Sequence, residues 1–162
     1  MNNILMQTKL EVLEDIAKDF LQEEFGIDLE IPIEINGRLS RSLGRFVCYP
    51  SRKKSVKIEL SKNLLEFYDD DEVVDTLRHE CVHYALFELG KPFKDHDTYF
   101  INTCNRLNVG LTNTTQHKGL VHVYKCLGCN KEHEVLRRFN PKAYRCSRCK
   151  EGFEYVSQKV VI

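Results

Sequence analysis

The segment His79-Glu80-Cys81-Val82-His83 decides how this chain is interpreted. On an α-helix the two histidines lie one turn apart on one face, because side chains four residues apart point the same way. Two imidazoles at that separation can bind one zinc ion. Glu80 then lies beside the metal, where its carboxylate can accept a proton from a zinc-bound water. The pattern predicts the metal centre of a zinc peptidase. The alternative is a helix that carries two surface histidines and a glutamate.

The residues around this segment indicate that it is helical. Between residues 71 and 89, apolar side chains recur at helical spacing. The acidic residues 69–72 supply cap candidates and favourable negative charge at the start. Gly90 and Pro92 mark the end. The sequence therefore places the motif in the interior of a long helix.

A catalytic zinc needs a third protein ligand and an open position for water. His96 follows the helix stop, and a turn after Gly90 could bring it back to the metal. Asp95 and Asp97 are rival ligands, because carboxylates also bind zinc. Apolar residues at helical spacing over 99–109 predict a second helix that packs against the first.

Two cysteine pairs, Cys126-x-x-Cys129 and Cys146-x-x-Cys149, form the second motif. They are separated by about sixteen residues, which is typical of a four-cysteine structural zinc site. Alternating apolar runs predict three short strands, over residues 121–125, 132–139 and 153–156. Together these features predict a zinc ribbon, in which the metal supplies much of the folding free energy because the core is small. Two disulfides are the alternative, and no feature of the sequence indicates the secretion that would favour them.

The other elements predict an α+β fold. An amphipathic helix over residues 5–25 ends at Gly26, and Ser61 is placed to cap a short helix. Three strands are expected, over residues 31–35, 44–49 and 55–60. We predict two domains. Residues 1–116 form a small zincin-like metallopeptidase domain with helices and a short antiparallel-type sheet, and residues 117–162 form the ribbon. The polar residues 112–118 are the expected linker.

Composition is that of a globular protein, with 42% hydrophobic and 30% charged residues among 162. We find no signal-peptide pattern at the N-terminus and no apolar run of membrane-spanning length, so no membrane partner is expected. Cys48, Cys81 and Cys104 lie in apolar contexts and are expected to be buried thiols. A reducing, cytoplasmic location is the expectation.

Charge is unevenly distributed along the chain. Residues 1–116 carry 14 basic and 20 acidic side chains, whereas residues 117–162 carry 10 basic and 4 acidic ones. Basic side chains interleaved with aromatic ones suit phosphate contacts and base stacking. The alternative is a solvated basic face, with the aromatic residues in the core of the ribbon. The candidate nucleic-acid contacts are Arg137, Arg138, Lys142, Arg145 and Arg148.

The chain resembles the SprT-like zinc metalloproteases, whose eukaryotic relative is the Spartan protease of DNA–protein crosslink repair. The resemblance covers nearly the whole chain. It is carried by Asn36-Gly37-Arg38, Leu43-Gly44-Arg45, Ile58-Glu59-Leu60-Ser61, the helix segment 76–83, the segment 95–100 and the paired cysteines. One departure is that the family often has Gly-His followed by an aromatic residue, whereas Asp95 precedes His96 here.

The resemblance implies a catalytic zinc held by His79, His83 and His96, with Glu80 as the catalytic residue, and a structural zinc at the four cysteines. It also implies protein substrates, with DNA or DNA-bound proteins as partners. The hypothesis from a different class is a non-catalytic module that binds nucleic acid or protein on a peptidase scaffold. Intact H-E-x-x-H favours the enzyme, because metal binding alone does not require Glu80.

Overall fold

Helices and a three-stranded sheet make up the first of two structural units. The computed structural model describes residues 3–111 and 117–162, and the chain divides into Met1–Thr115 and Gln116–Ile162. The predicted linker, residues 112–118, falls mostly outside the described residues. The elements of the first unit are α1 (Asn3–Phe25), β1 (Ile33–Asn36), β2 (Gly44–Tyr49), β3 (Lys54–Ser61), α2 (Lys62–Phe67), α3 (Asp70–Glu88) and α4 (Thr98–Leu107). The predicted α+β class is confirmed.

The sheet of the first unit has the order β1-β3-β2. Strand β2 is antiparallel to β3, but β1 is parallel to it, with Ile33 opposite Ile58. The sheet is therefore mixed, where an antiparallel type was expected, and β3 lies between the two strands that precede it in the chain. Pro32 lies just before β1, at the sheet edge where proline is tolerated, and its carbonyl accepts the Ile58 N–H at 3.0 Å.

Helix α3 is the central element of the first unit. It begins with a capping box, in which the Asp69 carboxylate accepts the Glu72 N–H at 2.9 Å and Glu72 reaches back to the Asp69 N–H. The helix contacts α1, α4, β2 and β3. Leu77, Cys81 and Val82 on it are fully buried, so its interior position is stabilised by packing on several sides. The predicted helix is confirmed to within one residue at each end.

The cysteines outside the paired motif differ in burial. Cys81 and Cys104 are fully buried, as expected, whereas Cys48 on β2 is half-buried. The register of β2 against β3 shifts between Val47 and Cys48. No described helix combines the length and the apolar character needed to cross a membrane.

The second unit is an antiparallel sheet of order β5-β4-β6, formed by β4 (Gly119–Cys126), β5 (Glu132–Val135) and β6 (Phe153–Val161). Strand β5 ends four residues earlier than predicted, because its pairing with β4 stops at Val135. Strand β6 runs five residues beyond its predicted end. Residues 157–159 are polar, so the alternation of apolar and polar side chains does not predict this part of the strand. They nevertheless pair with residues 121–123 of β4.

Most aromatic residues of the second unit form its core. Tyr124 is 1% exposed and stacks on Phe139 with ring centroids 3.9 Å apart. Its hydroxyl donates to the Phe139 carbonyl at 3.0 Å and accepts the Phe139 N–H at 3.1 Å. Tyr155 and Phe153 pack edge-on against this pair. Tyr144 is the exception, at 57% exposed.

Candidate metal centre and active site

Helix α3 and the loop that follows it bring three ligand atoms together. The Nε2 atoms of His79 and His83 are 3.1 Å apart. Asp95 Oδ1 lies 3.3 Å from the first and 3.2 Å from the second. These three residues could hold a metal ion. The histidine side chains are 7% and 11% exposed and the aspartate 71%, so the cluster has buried walls and one open side.

Backbone carbonyls set the tautomer of each histidine. His79 Nδ1 lies 2.7 Å from the Gly110 carbonyl oxygen, and His83 Nδ1 bonds to the Phe93 carbonyl oxygen. A carbonyl can only accept, so each Nδ1 carries the proton. Burial lowers the pKa of His83, which keeps that ring neutral near pH 7. With the proton on Nδ1, Nε2 is the ring atom of each histidine that can bind a metal ion.

The three facing atoms are thus all electron-pair donors. Two imidazole nitrogens and a carboxylate oxygen converge within 3.3 Å. Such a group is stabilised by a cation between its members. Nitrogen and carboxylate oxygen are ligands that zinc prefers, and the carbonyls behind the rings are the outer partners usual for metal-bound histidines. The residues present therefore fit a divalent metal ion.

Phe100 fixes the two imidazoles from behind. It is fully buried, it stacks on His83 at a centroid distance of 4.1 Å, and it meets His79 edge-on at 5.2 Å. It lies on α4, which contacts α3. The ring orientations are therefore set by packing as well as by hydrogen bonds.

Glu80 lies on the side of α3 that faces β2, and it is 4% exposed. Burial is the main cause that raises the pKa of its carboxyl to about 8, and the charge of Asp95 contributes to that rise. The Phe46 N–H and the Arg45 guanidinium act in the opposite direction by stabilising the carboxylate. Titration near neutrality suits a group that must both accept and release a proton.

Gly44 is the residue that lets β2 approach Glu80 so closely. A Cβ atom at position 44 would lie 2.8 Å from Glu80 Oε1 and 2.9 Å from both Glu80 Cγ and Thr76 Cγ2. Any larger residue would move the carboxylate or separate the strand from the helix. Position 44 thus requires glycine because of packing.

These groups open into one cleft of about 570 Å³. The two histidines, Glu80 and Asp95 lie on its wall. The remaining lining residues are mixed apolar and basic: Arg41, Ser42, Gly44, Arg45, Phe46, Phe93, Lys94 and Leu111. The candidate ligands and the candidate base are therefore accessible to the same bound molecule.

The structure does not bring His96 into this cluster. Its side chain is 80% exposed, with Nε2 3.9 Å from Asp97 Oδ1. The Asp97 carboxylate accepts the Lys94 N–H at 2.8 Å, and the Asp97 N–H donates to the Lys94 carbonyl at 2.8 Å. This tight turn points Asp95 inward and His96 outward. The rival ligand from the sequence occupies the place where His96 was expected.

In the second unit the four cysteines converge as predicted. The sulfur atoms of Cys126, Cys129, Cys146 and Cys149 lie within 4.8 Å of one another and could hold a metal ion. Backbone N–H groups of Cys149 and Arg148 lower the pKa of Cys146, and that of Cys129 lowers the pKa of Cys126. The lowered pKa values of Cys126 and Cys146 favour thiolates, the form that binds metal. At Cys149 the Glu151 backbone lowers the pKa, but the neighbouring sulfurs outweigh it and raise the pKa to about 11.

Each cysteine pair lies on a tight turn of the same design. The Asn130 N–H donates to the Cys126 carbonyl at 3.0 Å, and the Lys150 N–H donates to the Cys146 carbonyl at 2.9 Å. Both donors have left-handed backbones, with φ of 57° and 66°. The repeated geometry aims two sulfurs from each turn at one point, which is the arrangement of a zinc ribbon.

The five candidate nucleic-acid contacts are all exposed. The Arg138 guanidinium lies 4.4 Å from the centroid of the Tyr155 ring. Arg145 Nη1 donates to the carbonyls of Lys142 and Tyr144, at 3.2 and 3.0 Å. Two of the cationic side chains are therefore held in place, and one of them, Arg145, bonds to the carbonyl of Tyr144, the one exposed aromatic ring among those described for this unit.

The comparisons with known proteins agree with these observations. A model of the SprT-like family matches residues 10–118. The match begins within α1 and includes every later element of the first unit. A relative named Protein SprT-like from Bacillus velezensis is 27% identical over 146 residues, covering 86% of this chain and 93% of the relative. One of the same name from Streptococcus mutans is 26% identical over 147 residues, covering 90% and 98%. A further one from Bacillus cereus is 24% identical and covers 90% and 95%. With a family match over most of its length and a histidine pair and glutamate on one buried helix, the chain belongs to the SprT-like family.

Proposed function

We propose that this chain is a zinc-dependent metallopeptidase with a zincin-like active site. The observation that carries the proposal is the convergence of three electron-pair donors beside a buried carboxyl. His79, His83 and Asp95 supply the donors, and Glu80 supplies the carboxyl within the same cleft. Three protein ligands leave a fourth position open for water or substrate, as in catalytic zinc sites.

A zinc ion bound there would supply a Lewis acid that acidifies water and polarises a carbonyl group. Glu80 is the general base, accepting a proton from the attacking water and later passing it to the leaving amine. The Phe46 N–H orients its carboxylate. Low exposure of Glu80 and of both imidazoles limits their contact with bulk water.

The direct test is hydrolysis of an unfolded protein such as casein by the purified full chain. New peptide termini should appear in zinc-loaded protein, should be absent after chelation, and should return when zinc is restored. Mass spectrometry of the fragments would identify cleaved peptide bonds. No new termini in the zinc-loaded sample would favour the non-catalytic binding module.

The third ligand can be assigned by paired variants. Asp95→Ala should weaken zinc binding at this site by more than about 100-fold, since replacing even an outer partner of a ligand costs about 10- to 100-fold. His96→Ala, its neighbour, should leave the affinity unchanged, because that side chain is 80% exposed and outside the cluster. Competition with a chelator would measure both. Loss of zinc in His96→Ala but not in Asp95→Ala would make His96 the third ligand.

We also propose that the four cysteines of the second unit hold a structural zinc ion. The convergence of their sulfurs, two from each of two matching turns, supports this. Four thiolates close a tetrahedral site, which leaves no position for water and hence no catalysis. The proposal gives two zinc ions per chain, of which only the first is open.

The second unit is further proposed to bind nucleic acid, which would direct the peptidase toward DNA-associated proteins. The favouring observation is the exposed Tyr144 beside the anchored Arg145, with other exposed cations around them. An exposed ring and fixed guanidinium groups suit base stacking and phosphate contact. By contrast, two basic side chains on the sheet of the first unit, Arg45 and Lys57, are ion-paired to Glu59, which neutralises part of their charge.

Reversing two charges should weaken this binding. We expect Arg145→Glu with Arg148→Glu to lower affinity for a single-stranded oligonucleotide and to reduce the slope of log affinity against log salt by about 1.4, since each phosphate contact on a single strand contributes about 0.7. Fluorescence anisotropy over a salt series would measure the slope. Lys18→Glu with Arg106→Glu, exposed sites in the first unit, is the charge-matched control. Equal losses in the two double variants would show that net charge alone matters.

A further inference from the structure

Helix α3 holds Gly110 by both of its polar backbone atoms. The Gly110 N–H donates to Asp75 Oδ1 at 3.1 Å, and the Gly110 carbonyl accepts from His79 Nδ1 at 2.7 Å. Asp75 and His79 are four residues apart, so both lie on one face of the helix. Two side chains one helical turn apart on α3 thus bond to the same residue, Gly110, in the segment that follows α4.

The fit between Asp75 and Gly110 is close. A Cβ atom at position 110 would lie 2.5 Å from Asp75 Oδ2, so the carboxylate rests directly against the glycine Cα. The next residue, Leu111, lines the catalytic cleft. The preceding Val109 is 4% exposed, and its N–H donates to the Cys104 carbonyl at 2.9 Å. Asp75 therefore bonds to the residue that lies between the buried Val109 and the cleft residue Leu111.

We propose that Asp75 is a positioning residue for the metal ligand His79. By fixing the Gly110 N–H, it sets where the Gly110 carbonyl lies. That carbonyl holds the proton on Nδ1 and turns Nε2 toward the metal. Outer partners of this kind orient ligands and raise metal affinity. The inference rests on the metal centre proposed above, and it assigns a role to a side chain that does not itself reach the metal.

His83 provides an internal comparison. Its Nδ1 bonds to the Phe93 carbonyl, in the loop between α3 and α4, and it makes no contact with Gly110 among those described. Loss of Asp75 should therefore disturb one histidine and leave the other in place. A general loosening of the helix would disturb both.

Three variants of the full chain separate these possibilities. Asp75→Ala removes the acceptor for the Gly110 N–H, whereas Asp75→Asn keeps an oxygen acceptor and removes only the charge. Asp71→Ala, at an exposed position in the first turn of α3, removes the same charge from the same helix. Zinc affinity would be measured by chelator competition with the cysteine site already filled. NMR of the imidazole nitrogens in protein without zinc at the histidines would report the tautomer of each ring.

We expect Asp75→Ala to lower zinc affinity at the histidine site by about 10-fold, the lower end for outer partners, and to mix the tautomers of His79 alone. Asp75→Asn should restore both properties, and Asp71→Ala should match the parent. Unchanged affinity and tautomer in Asp75→Ala would overturn the inference, as would equal loss in Asp75→Ala and Asp75→Asn or disturbance of both histidines. If the parent chain binds zinc only at its cysteines, the proposed metal centre fails, and the tautomer measurement still decides whether Asp75 orients His79.

Discussion

Glu80→Gln is expected to lose peptide hydrolysis by at least about 10²- to 10⁴-fold, the contribution typical of a general base, while zinc stays bound. Glutamine has the shape of glutamate and keeps an oxygen that can accept the Phe46 N–H. It cannot take up a proton at neutral pH. Glu80 is outside the three-residue ligand group, so the metal should remain.

The isosteric change is needed because the site is tightly packed. The Glu80 side chain fills the space left by Gly44, and a shorter residue would leave a cavity whose effect on activity would mix with that of the missing base. Metal content and initial cleavage rates would be measured on the same samples. Glu11→Gln, an exposed change on α1, should behave as the parent. Undiminished cleavage by Glu80→Gln would exclude the general-base role, and loss of zinc from it would show that Glu80 supports the ligands.

Cys146→Ser is expected to unfold the second unit and to halve the zinc content from two ions to one. The described core of this unit is small, with Tyr124, Val121 and Val123 as its buried apolar residues besides cysteines. A structural zinc contributes about 10–16 kcal/mol of binding free energy at pH 7 in zinc-finger peptides, and that energy is folding energy. Loss of one thiolate removes most of it. The first unit has its own hydrophobic core and should keep its fold.

Amide NMR spectra would show whether the second unit alone unfolds. Signals of residues 117–162 should then collapse to random-coil positions, while those of α3 remain dispersed. Cys104→Ser is the matched control: it alters a fully buried thiol outside the four-sulfur cluster and should leave two zinc ions. A dispersed ribbon spectrum in Cys146→Ser would mean that β4, β5 and β6 hold the unit together without the metal.

Local signals made much of this structure predictable. The bounds of α3 follow from apolar spacing, an acidic start and Gly90, each of which acts within a few residues. The strands β2 and β3 follow from apolar and β-branched runs around Pro50. The pairing of the cysteines into one cluster follows from two copies of the same short turn. In each case the cause and the structure it produces are close together in the chain.

Other parts depend on contacts that no sequence pattern reports. Asp95 rather than His96 faces the ligand cluster because the Asp97 carboxylate bonds the Lys94 N–H and closes the turn. The partners of the two Nδ1 atoms are carbonyls of Phe93 and Gly110, which every residue type possesses. The parallel pairing of β1 joins residues far apart in the chain, such as Ile33 and Ile58, and no local turn signals it. These features need the folded chain.

The exposed carboxylate of Asp95 in the ligand group has an electronic consequence. With the proposed divalent ion bound, two imidazoles and one carboxylate would leave the centre with a net charge of about +1, where three imidazoles would leave about +2. A more electron-rich ligand set would hold the cation more firmly. The cation would then withdraw less electron density from a group bound at the fourth position. The same ligand set would also admit harder ions, since carboxylates suit manganese as well as zinc. In the proposed centre, the choice between Asp95 and His96 as third ligand would therefore tune both the acidity of a bound water and the range of metals accepted.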